Sequence, residues 1–222
     1  MNDDYPALDL SGIVHRYGRS YVLRGVSLHL PRGETLALYG SNGSGKTTLL
    51  RIIATSLSPT RGTGSVLGFP LSDRLSIRER TLLVSYALGL YPDLTAEENL
   101  AFSATLHGRP ASLAAIRPVL ERVGLGGVTV RVRAFSSGMR KRLALARLLL
   151  IEPELALLDE PFAALDPDGK KLVLEVLREA RARGTTLLVA SHEPELTNLV
   201  ATRHVTLAAG SLPEPQLLGV AA

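Results

Sequence analysis

The run Gly40-Ser41-Asn42-Gly43-Ser44-Gly45-Lys46-Thr47, continued by Thr48, matches the spacing of a phosphate-binding loop in full. Its glycines let backbone N–H groups turn inward around phosphate oxygens without steric conflict, forming an anion nest at a helix N-terminus. The Lys46 ammonium can then reach the β- and γ-phosphates of a nucleoside triphosphate, and the Thr47 hydroxyl can ligate magnesium. A second group is the apolar run Leu155 to Leu158, closed by Asp159 and Glu160. Carboxylates at the end of a buried strand cost desolvation unless they hold something, and open parallel sheets place ligands at those ends. Asp159 suits magnesium, directly or through water, and Glu160 suits polarisation of a water attacking the γ-phosphate. A third apolar run, Thr185 to Ala190, ends in Ser191 and His192. Alone, His192 reads as an ordinary surface or core histidine. Beside the other two motifs it points at the same crevice, where it can hydrogen-bond the γ-phosphate or the attacking water.

These residues need strands and helices to hold them. Leu8 to Val14, Val26 to Leu30 and Thr35 to Tyr39 read as strands divided by Gly and Pro, and Gly45 to Thr55 reads as a helix. Gly62 to Gly68 reads as a turn feeding a short strand around Val66, and Thr81 to Tyr86 as a further strand. Thr95 to His107 has a capping box, Thr95 with Glu98, and Gly108 stands at its C-cap. Ser112 to Val123 is a second helix, expected to kink at Pro118, and Arg140 to Leu150 a third. After the Asp159 strand, the helix Gly169 to Arg183 and the strand Thr185 to Ser191 complete a pattern that implies a parallel sheet. The expected organisation is a single α/β domain over 1–222. Residues 1–71 carry a nucleotide-binding β-subdomain with the phosphate loop, 72–134 a mostly helical subdomain, and 140–222 the second half of the core.

The chain has 222 residues, 45% of them apolar, enough for one sizeable core. It has no run of eighteen apolar residues, and its first five residues carry no apolar signal region, so a cytoplasmic location is expected. With no cysteines, disulfides and thiolate-bound metals are excluded. The net charge of +4 comes from scattered basic residues, and the densest run, Arg140-Lys141-Arg142, opens a predicted helix. Aromatics at 5% show no base-stacking pattern, so nucleic acid is not an expected partner.

Phe135-Ser136-Ser137-Gly138-Met139, just upstream of the Asp159 strand, resembles the signature motif of ABC transporter ATPases, usually Leu-Ser-Gly-Gly-Gln. With the order of the other motifs, the resemblance covers about Leu8 to Gly210. It implies a fold with a mostly parallel sheet core, an N-terminal antiparallel β-subdomain and an inserted helical subdomain. It also implies ATP and Mg2+ as cofactors, a homodimer in the ATP-bound state, and a transmembrane permease subunit that holds the chain at the inner face of the membrane. By position Ser136 and Gly138 inherit contacts to the nucleotide of a partner copy. Asp166, in Ala164-Leu165-Asp166, inherits a place at the dimer interface, and Tyr17 that of an aromatic stacked on adenine. Tyr91-Pro92-Asp93-Leu94-Thr95 resembles the family's stretch that meets the membrane subunit.

Two positions depart from the family pattern. Ala87 stands near the place of a glutamine that senses magnesium, and the only glutamine in the chain is Gln216; the signature ends in Met139. The run from Asp159 to Asp166 with Gly169, the run Ser191-His192-Glu193-Pro194 and the missing glutamine together resemble the CcmA-type subunits of the haem exporter used in cytochrome c maturation. The other readings are the ATPase of another exporter, of drug, lipid or multidrug type, and a nucleotide-dependent regulatory module with little turnover.

Overall fold

The computed structural model describes residues 5–85 and 89–212. Strands β1 (Leu8–Tyr17) and β2 (Ser20–Leu30) form an antiparallel hairpin in register from Leu8↔Leu30 to Tyr17↔Ser20, with bulges between. β3 (Thr35–Tyr39) leads through the glycine loop into α1 (Lys46–Ile53). β4 (Arg61–Val66) and β5 (Phe69–Pro70) extend the antiparallel sheet, whose order is β2-β1-β4-β5. α2 (Arg74–Arg80) then delivers β6 (Thr81–Ser85) to a second sheet. α3 (Ala96–Leu106), α4 (Leu113–Arg122), a short 3-10 turn (Val132–Ala134) and α5 (Ser137–Ile151) follow. β7 (Leu155–Asp159), α6 (Pro167–Ala182), β8 (Thr186–Ala190), α7 (Pro194–Thr197) and β9 (Arg203–Thr206) close the chain. The second sheet runs β6-β7-β8-β3-β9, and each of its pairs is parallel.

Side-chain parity on the central strands divides the interior. Leu155 and Leu157 of β7, with Leu188 and Ala190 of β8, face α1 and the antiparallel sheet. Ala156 and Leu158, with Leu187 and Val189, face α3 to α6. Successive side chains of a strand point to opposite faces, so the continuous apolar runs read in the sequence are strands covered on both sides. Polar ligand groups are thereby displaced to the strand ends.

The expected elements are present, with differences that have physical reasons. The hairpin reaches beyond Val14 to Tyr17 and starts at Ser20 rather than Val26, because residues there, mostly exposed apart from His15 and Leu23, pair through their backbone without an apolar alternation. α5 starts at Ser137, three residues before the expected Arg140, since the Ser136 hydroxyl caps it by accepting from the Met139 N–H at 3.2 Å. α6 likewise begins at Pro167, capped by Asp166, which accepts from the Gly169 N–H at 2.8 Å. α4 continues as helix through Pro118; the residue is exposed, so the carbonyl it leaves without a helical partner, that of exposed Ala114, faces water. The Thr95 capping box is formed, with the Thr95 N–H donating to Glu98 Oε2 at 2.7 Å. β6 and α2 lie within the stretch assigned to the helical subdomain, yet β6 is an edge strand of the parallel sheet. Tyr86, Ala87 and Gln216 lie outside the described residues. No helix among the described residues is long and apolar enough to cross a membrane.

Phe162, two residues beyond the β7 carboxylates, is among the largest fully buried side chains and packs in the helical layer. Phe162→Ala leaves a ring-sized void there and is expected to lower stability by about 3–5 kcal/mol, read from the urea unfolding midpoint at unchanged m-value.

Candidate functional site

The loop between β3 and α1 is shaped by backbone that side chains resist. Gly43 and Gly45 have φ of 78° and 108°, and a Cβ on Gly40 would come within 2.5 Å of the Leu207 carbonyl oxygen and 2.6 Å of Ser44 Oγ. Gly45 caps α1 without a side-chain hydrogen bond, and the first turn carries no acidic residue. The first N–H groups of α1 thus keep their positive field for an anion. Ser44 Oγ is buried with no hydrogen-bond partner, an orphaned donor at the loop's inner side. Lys46 is buried; its Nζ donates to the carbonyls of Gly40 at 2.7 Å and Ser41 at 3.3 Å and lies 3.6 Å from Glu160 Oε1.

The carboxylates arrive from β7. Asp159 Oδ2 accepts from the Thr47 hydroxyl at 2.8 Å, which joins strand and loop by two hard oxygen donors. Burial lifts the Asp159 carboxyl above its ordinary value; the Thr47 hydrogen bond opposes the rise, the Glu160 charge adds to it, and Lys46 and Arg51 work against it. A cation at this point would favour the ionised form. Glu160 sits at φ 51° and donates its backbone N–H to the Ala190 carbonyl at 2.9 Å. A left-handed conformation in a non-glycine residue costs on the order of 1 kcal/mol, and here it turns the side chain toward the end of β8. There Glu160 Oε2 accepts from the His192 backbone N–H at 3.2 Å and lies 2.7 Å from His192 Nδ1.

The structure therefore brings together Lys46, Thr47, Asp159, Glu160 and His192 at the C-terminal ends of three neighbouring strands, β7, β8 and β3. A pocket of about 330 Å³ is lined by Ser41 to Thr48, Asp159, Glu160 and Val22. Ser136 and Gly138 are not in this lining; they occupy the cap and first turn of α5, with Ser136 exposed. Asp166 is exposed at the cap of α6. Tyr17 is half-exposed, packs edge-on against His15 with ring centroids 4.8 Å apart, and is likewise outside the lining.

Sequence reasoning passed over three residues. Val22 reaches the pocket from β2 through the hairpin fold, for which no local pattern exists. Lys141, in the sequence one of a basic run, stands near Glu193 and Glu160. Arg147 is 7% exposed inside α5; its Nε donates to Ser103 Oγ at 3.0 Å, and its guanidinium lies where a Gly89 Cβ would stand, 2.4 Å from one terminal nitrogen. It pins the backbone at Gly89, just ahead of Tyr91, against the helix that begins at Ser137.

A profile of the family described as ABC transporter matches residues 23–163. The chain is 39% identical to the phosphonates import ATP-binding protein PhnC of Anaeromyxobacter dehalogenans, over 93% of this chain and 45% of the relative. It is 36% identical to the Nod factor export ATP-binding protein I of Bradyrhizobium diazoefficiens, over 95% and 70%. It is also 36% identical to the octopine permease ATP-binding protein P of Rhizobium meliloti, over 97% and 90%. The chain thus spans less than half of the first of these relatives. Among solved structures it is similar to an ATP-binding subunit of an ABC transporter, with TM-score 0.84 and 30% identity over 93% of this chain and 88% of the other. It is also similar to the bacterial ABC transporter cassette MJ0796, solved as a dimer, with TM-score 0.85 and 26% identity over 96% and 99%.

The close approach at Gly40 yields a test. Gly40→Ala drives its Cβ into Leu207 and Ser44, so the loop must shift. Strain of about 1–3 kcal/mol at this position corresponds to an affinity for ATP lower by roughly 5- to 150-fold, read by isothermal titration calorimetry; unchanged affinity would show that the loop backbone does not hold the nucleotide.

Proposed function

The chain belongs to the ABC transporter family, and from that premise we propose that it binds and hydrolyses ATP as the motor subunit of a transporter, paired with a second copy beneath a separate membrane subunit. The observation that carries the reading is the convergence of Lys46, Thr47, Asp159 and Glu160 on one pocket at the ends of β3 and β7, with His192 at the end of β8 holding Glu160 from outside the lining. Its volume of about 330 Å³ is of the size that small-molecule sites have.

Magnesium fits the residues present. Thr47 and Asp159 offer oxygen donors already in contact, and the desolvated carboxyl favours a cation. Among the described residues no group of three or more His, Cys, Asp or Glu could hold a metal. Thr47 and Asp159 would therefore hold the ion jointly with phosphate oxygens, where it neutralises charge on the β- and γ-phosphates. The Lys46 ammonium exchanges the Gly40 and Ser41 carbonyls for the phosphates, and Ser44 Oγ gains the partner it lacks. Glu160, held at Oε2 by His192, presents Oε1 to a water and accepts its proton. Positioning and electrostatics account for most of the rate. In the paired state Ser136, Gly138 and the N–H groups of α5 face the partner's nucleotide, Asp166 lies at the interface, and Tyr17 stacks on adenine. On this reading the chain works at the cytoplasmic face of the membrane.

For the cargo we propose haem, in export for cytochrome c maturation, on the resemblance carried by Asp159 to Gly169, Ser191 to Pro194 and Ala87. The relatives named above include one named for import, one for export and one for a permease. Affinity purification of the tagged chain from solubilised membranes checks the cargo. A co-purifying permease whose loss leaves holocytochrome c intact would overturn the haem assignment and keep the motor.

The motor itself is tested by magnesium-dependent ATP hydrolysis of the purified chain against protein concentration. Turnover should rise more steeply than linearly. Glu160→Gln should lower kcat by about 10²–10⁴-fold while ATP is still bound and light scattering reports a dimer. Retained turnover, or a monomer with ATP, would overturn the reading; tight binding without turnover in the unaltered chain would favour a regulatory module.

A further inference from the structure

Asp159 and Glu160 are the common wall of two cavities. One is the phosphate-loop pocket; the other is a cavity of about 20 Å³ on their far side, lined by Val84 and Ser85 of β6, Lys141, Ala144 and Leu145 of α5, and Pro161. Its size suits a single water molecule, and Ser85, Lys141, Asp159 and Glu160 supply the polar partners such a water needs. The floor is hydrocarbon, so charges facing it interact more strongly than at an open surface.

Lys141 is the only base in that lining, and it is singled out within its own run. The flanking Arg140 donates to the Arg133 carbonyl at 3.3 Å and Arg142 to the Val123 carbonyl at 3.1 Å, both toward the helical subdomain. Lys141 turns instead to the sheet. Burial pushes its ammonium below the ordinary lysine value, and the charges of Glu193 and Glu160 pull it back. Glu193 pairs with Lys170 at 2.5 Å and does not line this cavity, whereas Glu160 shares its wall with Lys141.

We propose that Lys141 is a positioning residue: from the small cavity, directly or through one water, its ammonium holds the Glu160 carboxylate on the side away from the nucleotide and so ties that carboxylate to the helix that begins at Ser137. This rests on the motor reading and deepens it. Lys141 stands four residues into α5 from Ser137, about 6 Å along a rigid helix. Whatever draws Ser136 and Gly138 toward a partner's nucleotide carries Lys141 with it. Glu160 is then adjusted by the occupancy of the other site, within one chain and without passage through the loop that holds its own nucleotide.

The test uses the purified chain with Lys141→Met, which keeps the length and apolar stem but loses the charge, and Lys141→Arg, which keeps the charge. Lys141→Met should lower kcat for ATP hydrolysis by roughly 5–20-fold with KM within about twofold. ATP affinity by calorimetry and ATP-induced dimerisation by light scattering should be unaltered, and Lys141→Arg should recover half or more of the lost rate. A Lys141→Met enzyme with kcat within twofold of the parent would overturn the proposal, as would lost dimerisation, or a failure of arginine to rescue. An unaltered chain without turnover would overturn the motor reading first, and this inference with it; an active parent with an equally active Lys141→Met overturns the inference alone.

Discussion

The site depends on a constraint at the sheet: β7 and β8 are covered by hydrocarbon on both faces, so charge can be placed only where the strands stop. Asp159 is the last residue of its strand and Glu160 the first beyond it, and a carboxylate one position further in, at the fully buried Leu158, would lose water on every side. The main chain responds with a left-handed turn at Glu160, which re-aims the carboxylate sideways instead of onward. The same constraint collects the partners. β8 ends beside β7 and supplies His192, while β3, on the far side of β8, supplies the loop with Lys46 and Thr47.

The charged groups of the site satisfy one another. Lys46 is saturated by two carbonyls and a nearby carboxylate, Thr47 and Asp159 satisfy each other, and Glu160 rests on His192. On the motor reading, a triphosphate with its cation would take over the Lys46 and Thr47–Asp159 contacts, while Glu160 stays on His192. The site is thus organised in advance, which keeps low the reorganisation needed on binding.

How much of this was legible in the sequence follows from what sets each feature. The loop, the β7 carboxylates and His192 were legible because they are contiguous patterns at the ends of apolar runs. The Thr95 capping box was legible for the same reason, as a pair of residues three apart. The start of α5 was placed late because Ser136 and Ser137 look like loop residues until one of them is seen to cap. α2 and β9 were not read: both are short, and β9, with its half-exposed Arg203 to Thr206, exists through pairing with β3 rather than through pattern. Val22 and Lys141 come to the site across the fold, and no spacing along the chain announces that. For Tyr17 the family resemblance points to the adenine end, away from the loop pocket whose wall includes Val22.

The parity of β7 has a consequence for how such a chain can diverge. Leu155 and Leu157 answer to the nucleotide-side layer, Ala156 and Leu158 to the helical layer, and few side chains are shared between the two cores. On the motor reading, with the stretch from Tyr91 to Thr95 meeting the membrane subunit, a new partner would place its demands on the helical layer. Substitutions there can be compensated by their own neighbours, and the opposite face of the sheet need not register them. One strand, two residues deep on each side, acts as a partition wall in evolutionary time: one room can be refurnished for a different cargo while the machinery in the other is left standing.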